Sequence, residues 1–181
     1  MEDKVWSKTL LSSYSCLEPL SNAVDGMVLS SGLHSAYGFN TTMKSACAIL
    51  NLISRKKLLI NIKVLVERVL DKLQVDYARL LVLKYFDKAK VNDILTIMGL
   101  SRRTYFRKIN SAIESFSIGL QKEGFSSNII KNMVKDEMWI NELYSVVKAK
   151  ENSRSKEDFE FSDIKLMNMA YSSFKKISTC C

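Results

Sequence analysis

Residues 77–116 read YARLLVLKYFDKAKVNDILTIMGLSRRTYFRKINSAIESF. Ordinary signals divide this stretch into three helices. From about Val75 to Phe86, Ala78, Leu81, Val82 and Tyr85 recur at steps of three and four, which predicts one buried face of an α-helix. Asp87-Lys88-Ala89 is a short polar turn, and Val91 to Met98 carries Ile94, Leu95 and Met98 on one side. Gly99 then stands where a helix end favours a residue tolerant of positive φ. Leu100 plugs the core, and Ser101 is a good N-cap because its hydroxyl can accept from a free first-turn N–H. Two short helices joined by a tight glycine-containing turn form a helix-turn-helix unit.

The third helix separates its chemistry by face. Tyr105, Ile109, Ala112 and Phe116 follow steps of four, three and four and share an apolar stripe. Roughly opposite lie Arg103, Thr104, Arg107 and Ser111, with Arg102 and Lys108 at the margins. A recognition helix needs such a division, with one side packed on a scaffold and the other offering donors to the major groove. Arginine can bond a guanine edge bidentately, and lysine or serine can hold phosphates. The N–H groups of a first turn also suit a phosphate. The bland alternative is a helical hairpin whose basic third helix binds no DNA.

Lys88 to Ser101 resembles the second-helix-and-turn signature of the C-terminal DNA-binding region of bacterial sigma factors. Leu81-Val-Leu-Lys-Tyr-Phe86 is similar to that family's first helix, which ends in an aromatic pair, and Ser101 to Lys108 resembles phage transcription regulators of the ArpU type more closely. Lys90 stands where the usual Ser or Thr cap would be, and Leu95 where the family has a small residue. The resemblance implies a third helix entering promoter DNA through Ser101, Arg102, Arg103, Thr104, Arg107 and Lys108. Ser111 joins these candidate DNA-binding residues by its place on the same face.

Charge supports a polyanionic partner. The chain carries a net +8, and residues 41–90 hold eleven Lys and Arg against four Asp and Glu. This basic band, from Lys44 to Lys108, favours a polyanion such as nucleic acid as partner. A solvated basic surface is the alternative.

The rest of the chain reads as helical. One proline and six glycines in 181 residues are too few for the turns of a β-rich protein. Trp6, Leu10, Leu17, Leu20, Val24, Met27 and Val28 predict a helix from about Val5 to Leu33, with Ser31-Gly32 and Gly38 to Asn40 marking a break. Thr42 opens a second helix, which Arg55-Lys56-Lys57 either ends or carries on as an exposed basic turn. Leu58 to Leu73 is a third stretch, with Ile62, Leu65, Val66, Val69 and Leu70 along one stripe. Gly119 and Gly124 flank a connector, Asn128 to Val147 is amphipathic, and Phe159 to Ile177 reads as a last helix.

The expected fold class is therefore all-α, a multi-helix protein around a central three-helix helix-turn-helix unit. Residues 1–73 form an N-terminal helical region for oligomerisation or polymerase contact. Residues 74–118 form the DNA-binding domain. Residues 119–181 form a C-terminal helical region with a polar linker near 148–158.

Nothing in the sequence reads as an enzyme. It has no glycine-rich phosphate loop and no carboxylate pair placed for acid–base work. His34 reads as a capping or surface residue, and no cofactor is expected. Cys16, Cys47, Cys180 and Cys181 lack the spacing of a metal site, so no metal is expected; Cys16 and Cys47 read as small buried hydrophobes. Cys180-Cys181 resembles a double-prenylation tail without other support. No run is apolar enough to span a bilayer, and Met1-Glu2-Asp3-Lys4 is acidic where a signal peptide is basic, so a cytoplasmic protein without a membrane partner is expected.

These readings point to a sequence-specific transcription regulator of phage or bacterial type that binds double-stranded DNA. RNA polymerase and a second copy of the chain are further partner readings. Two alternatives stay open: a divergent sigma factor, and a non-enzymatic interaction module that docks a partner through Met133, Met138, Trp139 and Tyr144.

Overall fold

The computed structural model describes residues 2–36, 42–152 and 163–178. Its described residues form an all-α architecture with no strand. The helices are α1 (Glu2–Ala36), α2 (Thr42–Asp71), α3 (Val75–Leu81), α4 (Val91–Met98), α5 (Arg102–Lys122), α6 (Ser127–Met133), α7 (Met138–Asn152) and α8 (Asp163–Ser178).

α1 is the spine of the fold. It is one unbroken helix of 35 residues that passes through Pro19 and on past Ser31-Gly32. Its buried stripe of Trp6, Leu10, Leu17, Leu20 and Val24 follows the expected spacing. Between these apolar residues lie buried hydroxyls that bond back to their own helix. Thr9 donates to the Val5 carbonyl at 2.8 Å and Ser13 to that of Leu10 at 2.9 Å. This back-bonding lets small polar side chains sit in a core without orphaned donors. α1 packs against α2, α5, α6, α7 and α8.

α2 joins what the sequence divides into two stretches. Arg55-Lys56-Lys57 does not end the helix but continues it; Lys57 is exposed as expected of a basic turn, Lys56 is half-buried and Arg55 is buried. α1 and α2 form an antiparallel hairpin whose register is visible in three side-chain contacts. Lys56 donates to Asp25 at 2.6 Å, Lys63 to Glu18 at 2.7 Å, and the Tyr14 hydroxyl to Glu67 at 2.5 Å. As the position climbs along α2 it descends along α1.

α3 departs from a simple helix. A π-helical turn, Val82–Phe86, continues it, closed by the Asp87 N–H donating to the Val82 carbonyl at 3.0 Å. The wider turn shifts the helical phase. Leu80 and Leu81 are the fully buried pair, while Ala78, Val82 and Tyr85 are half-buried, unlike the stripe expected from regular spacing. Phe86 stacks on Tyr14 of α1 with ring centroids 3.7 Å apart.

α5 extends beyond the expected segment, so the boundary expected between residues 118 and 119 falls inside it. Gly119 is not part of a connector; it lies within α5 against Val69 of α2. The stretch from Asn128 to Val147 is not one helix, because Val134 to Glu137 turns the chain between α6 and α7. The expected polar linker is shorter at its start, since Lys148 to Asn152 complete α7; residues 153–162 lie outside the described residues. His34 falls in α1, with its side chain outside what is described; Cys180 and Cys181 lie outside the described residues. Cys16 is buried and Cys47 half-buried, and neither forms a disulfide.

One hydrophobic cluster draws on all of this, from Trp6 and Leu10 through Ile62, Val66 and Phe116 to Trp139 and Leu166. Each fully buried Leu, Ile or Phe in it contributes roughly 1.5–3 kcal/mol relative to exposure. No helix of the described residues is long and apolar enough to cross a membrane.

Candidate nucleic-acid interface

The turn that launches α5 follows directly from three residues. Gly99 ends α4 in the left-handed region at φ 61°, ψ 37°. With that bend, the Leu100 N–H reaches back to the Leu95 carbonyl at 3.0 Å, satisfying one of the last carbonyls of α4. Ser101 is the N-cap of α5, its Oγ accepting from the Thr104 N–H at 3.3 Å. The Ser101 and Thr104 hydroxyls lie 2.9 Å apart, so both side chains of the pair are engaged in the cap. At the start of α4, Lys90 has the extended backbone of a cap but supplies no side-chain hydrogen bond.

Beyond the cap, α5 holds the expected inward stripe. Tyr105, Ile109, Ala112 and Phe116 are all buried, followed by Leu120 one turn further. Arg102, Arg103 and Arg107 are exposed, and Thr104, Lys108 and Ser111 are half-buried. Arg103, Arg107 and Ser111 are spaced by four and share one row of the helix. No carboxylate of the described residues pairs with Arg102, Arg103 or Arg107. The one acidic residue within α5, Glu114, lies roughly 10 Å further along the axis from Arg107 and is paired at 3.3 Å with Lys4 of α1.

Lys108 occupies a different position. Its Nζ donates to Asp76 of α3 at 3.1 Å, which ties α5 to α3 and directs the ammonium away from the arginine row. Two further exposed residues share the arginine end of α5: Phe106, whose ring packs edge-on to Tyr105 with centroids 5.1 Å apart, and Asn110. Asn110 is one step of three from Arg107, so helical spacing alone identifies it, although it carries no charge. From the π-turn, Lys84 places its Nζ 5.9 Å from the centroid of the Tyr105 ring.

The basic band does not present itself whole. Lys56 pairs with Asp25, Lys63 with Glu18, Arg68 and Lys72 with Glu123, and Arg55 with Glu137. Part of the positive charge of the middle of the chain is thus matched by carboxylates brought in from the flanking segments. Among the described residues, Lys44, Lys57, Arg79 and Lys90 are exposed without an acidic partner, and Arg102, Arg103 and Arg107 group at the start of α5. Among the described residues, no cluster of three His, Cys, Asp or Glu is placed to hold a metal ion.

The docking residues of the interaction-module reading are mostly built into the core. Trp139 is buried, and Tyr144 stacks on Trp6 at 4.2 Å. Met133 is half-buried, and Met138 is exposed.

Neither the curated proteins nor the solved structures contain a match to this chain. Residues 48–117, from the first third of α2 to the middle of α5, match a family described as a protein of unknown function (DUF1492).

Proposed function

We propose that the chain is a transcription regulator that binds double-stranded DNA with the N-terminal half of α5 in the major groove. The observation that carries this reading is the unneutralised row at the start of that helix. Arg102, Arg103 and Arg107 are exposed without an acidic partner while the other side of the helix is fully buried. Arg55, Lys56, Lys63, Arg68 and Lys72 of the basic band, by contrast, are paired with carboxylates. Arg103 and Arg107 are the base-reading candidates, with Asn110 suited to adenine. The free N–H groups at the helix start and Arg102 suit phosphates. Lys108 acts as the brace to α3 and contributes little to the groove contact.

The test is fluorescence anisotropy of the full chain on labelled random duplex DNA at several salt concentrations. Binding that weakens steeply with salt, and falls at least tenfold on Arg103→Glu or Arg107→Glu, is the expected result. No retention on duplex at low salt sinks the reading.

A further inference from the structure

α2 has a second apolar face. Its inner face, with Leu52, Leu59, Ile62 and Val66, is buried in the core. On the solvent side, Met43, Ala46, Leu50, Ile53, Lys57, Ile60 and Val64 are all exposed and follow steps of three, four, three, four, three and four. This is the a/d spacing of a coiled-coil seam. The exposures are large for such residues: 75% for Met43, 63% for Leu50, 49% for Ile53, 43% for Ile60 and 41% for Val64. Beside the seam, Ser54 and Asn61 are exposed and uncharged on one flank, and Lys56 and Lys63 on the other are paired with Asp25 and Glu18, so Lys57 is the one charge within the seam between Met43 and Val64. In a chain that is 25% charged, such a strip over six helical turns is not an ordinary solvated surface.

We propose that this seam is the interface of a homodimer in which α2 pairs antiparallel with α2 of a second copy. Self-association fits because the face is nearly uncharged and its heptad spacing can mate with itself. The exposed side chains present roughly 500 Å² per copy, so a symmetric pair buries about 1,000 Å², where specific interfaces begin. Lys57 decides the orientation. In a parallel pair it would face Lys57 of the second copy across the seam. In an antiparallel pair, the register that sets Leu50 opposite Ile53 sets Lys57 opposite Ala46, whose small side chain leaves room for the lysine stem. A lone polar residue in a seam selects register at a cost in stability. The neighbouring lysines, Lys56 and Lys63, are already turned to Asp25 and Glu18 within their own hairpin, so they do not repel across the interface. None of the α5 arginines takes part, so the dimer stands or falls independently of DNA binding.

The experiment is sedimentation velocity of the full chain from about 1 to 100 µM, without nucleic acid. The expected wild-type species is twice the 20.6 kDa protomer mass. Leu50→Glu with Ile53→Glu gives a monomer of unchanged helicity by circular dichroism, because both side chains are outside the core. Lys57→Leu tightens the dimer about tenfold. A wild-type monomer throughout this range overturns the proposal, including the case where a different protein covers the seam. So does a dimer that survives the double Glu variant. Preferential pairing of wild type with Lys57→Glu would place Lys57 against itself and overturn the antiparallel order.

Discussion

Gly119 of α5 and Val69 of α2 lie so close that a β-carbon on the glycine would sit 2.6 Å from the valine Cγ1. The two helices cross at this point, and the missing side chain is what lets them approach. Valine is branched at Cβ and cannot swing clear cheaply. Gly119→Ala therefore lowers stability by about 1 kcal/mol in urea denaturation, even though alanine gains about 1 kcal/mol in helix propensity, because overpacking costs about 1–3 kcal/mol. Val69→Ala in the same chain relieves the clash, so the two changes are strongly non-additive. Additive losses would show that the contact is not the cause.

The cap of α5 gives a second prediction. Ser101 satisfies the Thr104 N–H, and its removal leaves that donor to water. Ser101→Ala should cost about 1 kcal/mol. Lys90 caps α4 with no side-chain bond, so Lys90→Ser should move the other way by a similar or smaller amount. Thermal unfolding of both variants checks the pair. Equal effects of the two changes would mean that neither cap geometry governs its helix.

Much of this fold is legible in the sequence because it rests on local rules. The end of α4 at Gly99, the Ser101 cap and the inward stripe from Tyr105 to Phe116 need only spacing and capping chemistry. The candidate face was legible for the same reason, apart from Asn110. The rest depends on partners distant in the chain. Arg55 looks like part of an exposed basic turn until Glu137, more than eighty residues away, is brought against it. Nor does local spacing show that α3 delivers Asp76 to Lys108. Gly119 looks like a break because only the crossing with Val69 gives it a reason to sit inside a helix. The π-turn at Val82–Phe86 has no proline or glycine to announce it.

Acid should unfold the protein in part through its surface ion pairs. Hydrogen bonding to Lys63 holds the Glu18 carboxyl below its ordinary 4.5, and Lys72 does the same for Glu123. A depressed folded-state value means that the stabilisation is present above pH 4.5 and is lost as pH falls through the lowered values. Glu137 acts with the opposite sign, since burial raises its carboxyl and it takes up a proton above pH 4.5. Melting temperature against pH should therefore fall more steeply below 4.5 in the wild type than in a Glu18→Gln, Glu123→Gln variant. Molar salt should narrow that difference. Parallel curves for the two proteins would contradict the assignment.

The buried pair of Arg55 and Glu137 is the sharpest test of how α2 holds the turn between α6 and α7. Arg55 Nε lies 3.1 Å from one Glu137 oxygen, and the Trp139 indole N–H donates to the other at 3.1 Å. Burial lowers the Arg55 value and raises that of Glu137, so each charge is costly without the other. Glu137→Ala alone strands a buried guanidinium and should destabilise by about 3 kcal/mol or more. Arg55→Met with Glu137→Leu removes both charges and keeps the volume, so its loss should be limited to about 1–3 kcal/mol, the cost of leaving the Trp139 indole donor without its acceptor. Denaturation of the two single variants and the double variant gives the coupling directly. A double variant as unstable as the sum of its singles would mean that packing, not charge pairing, fixes the turn.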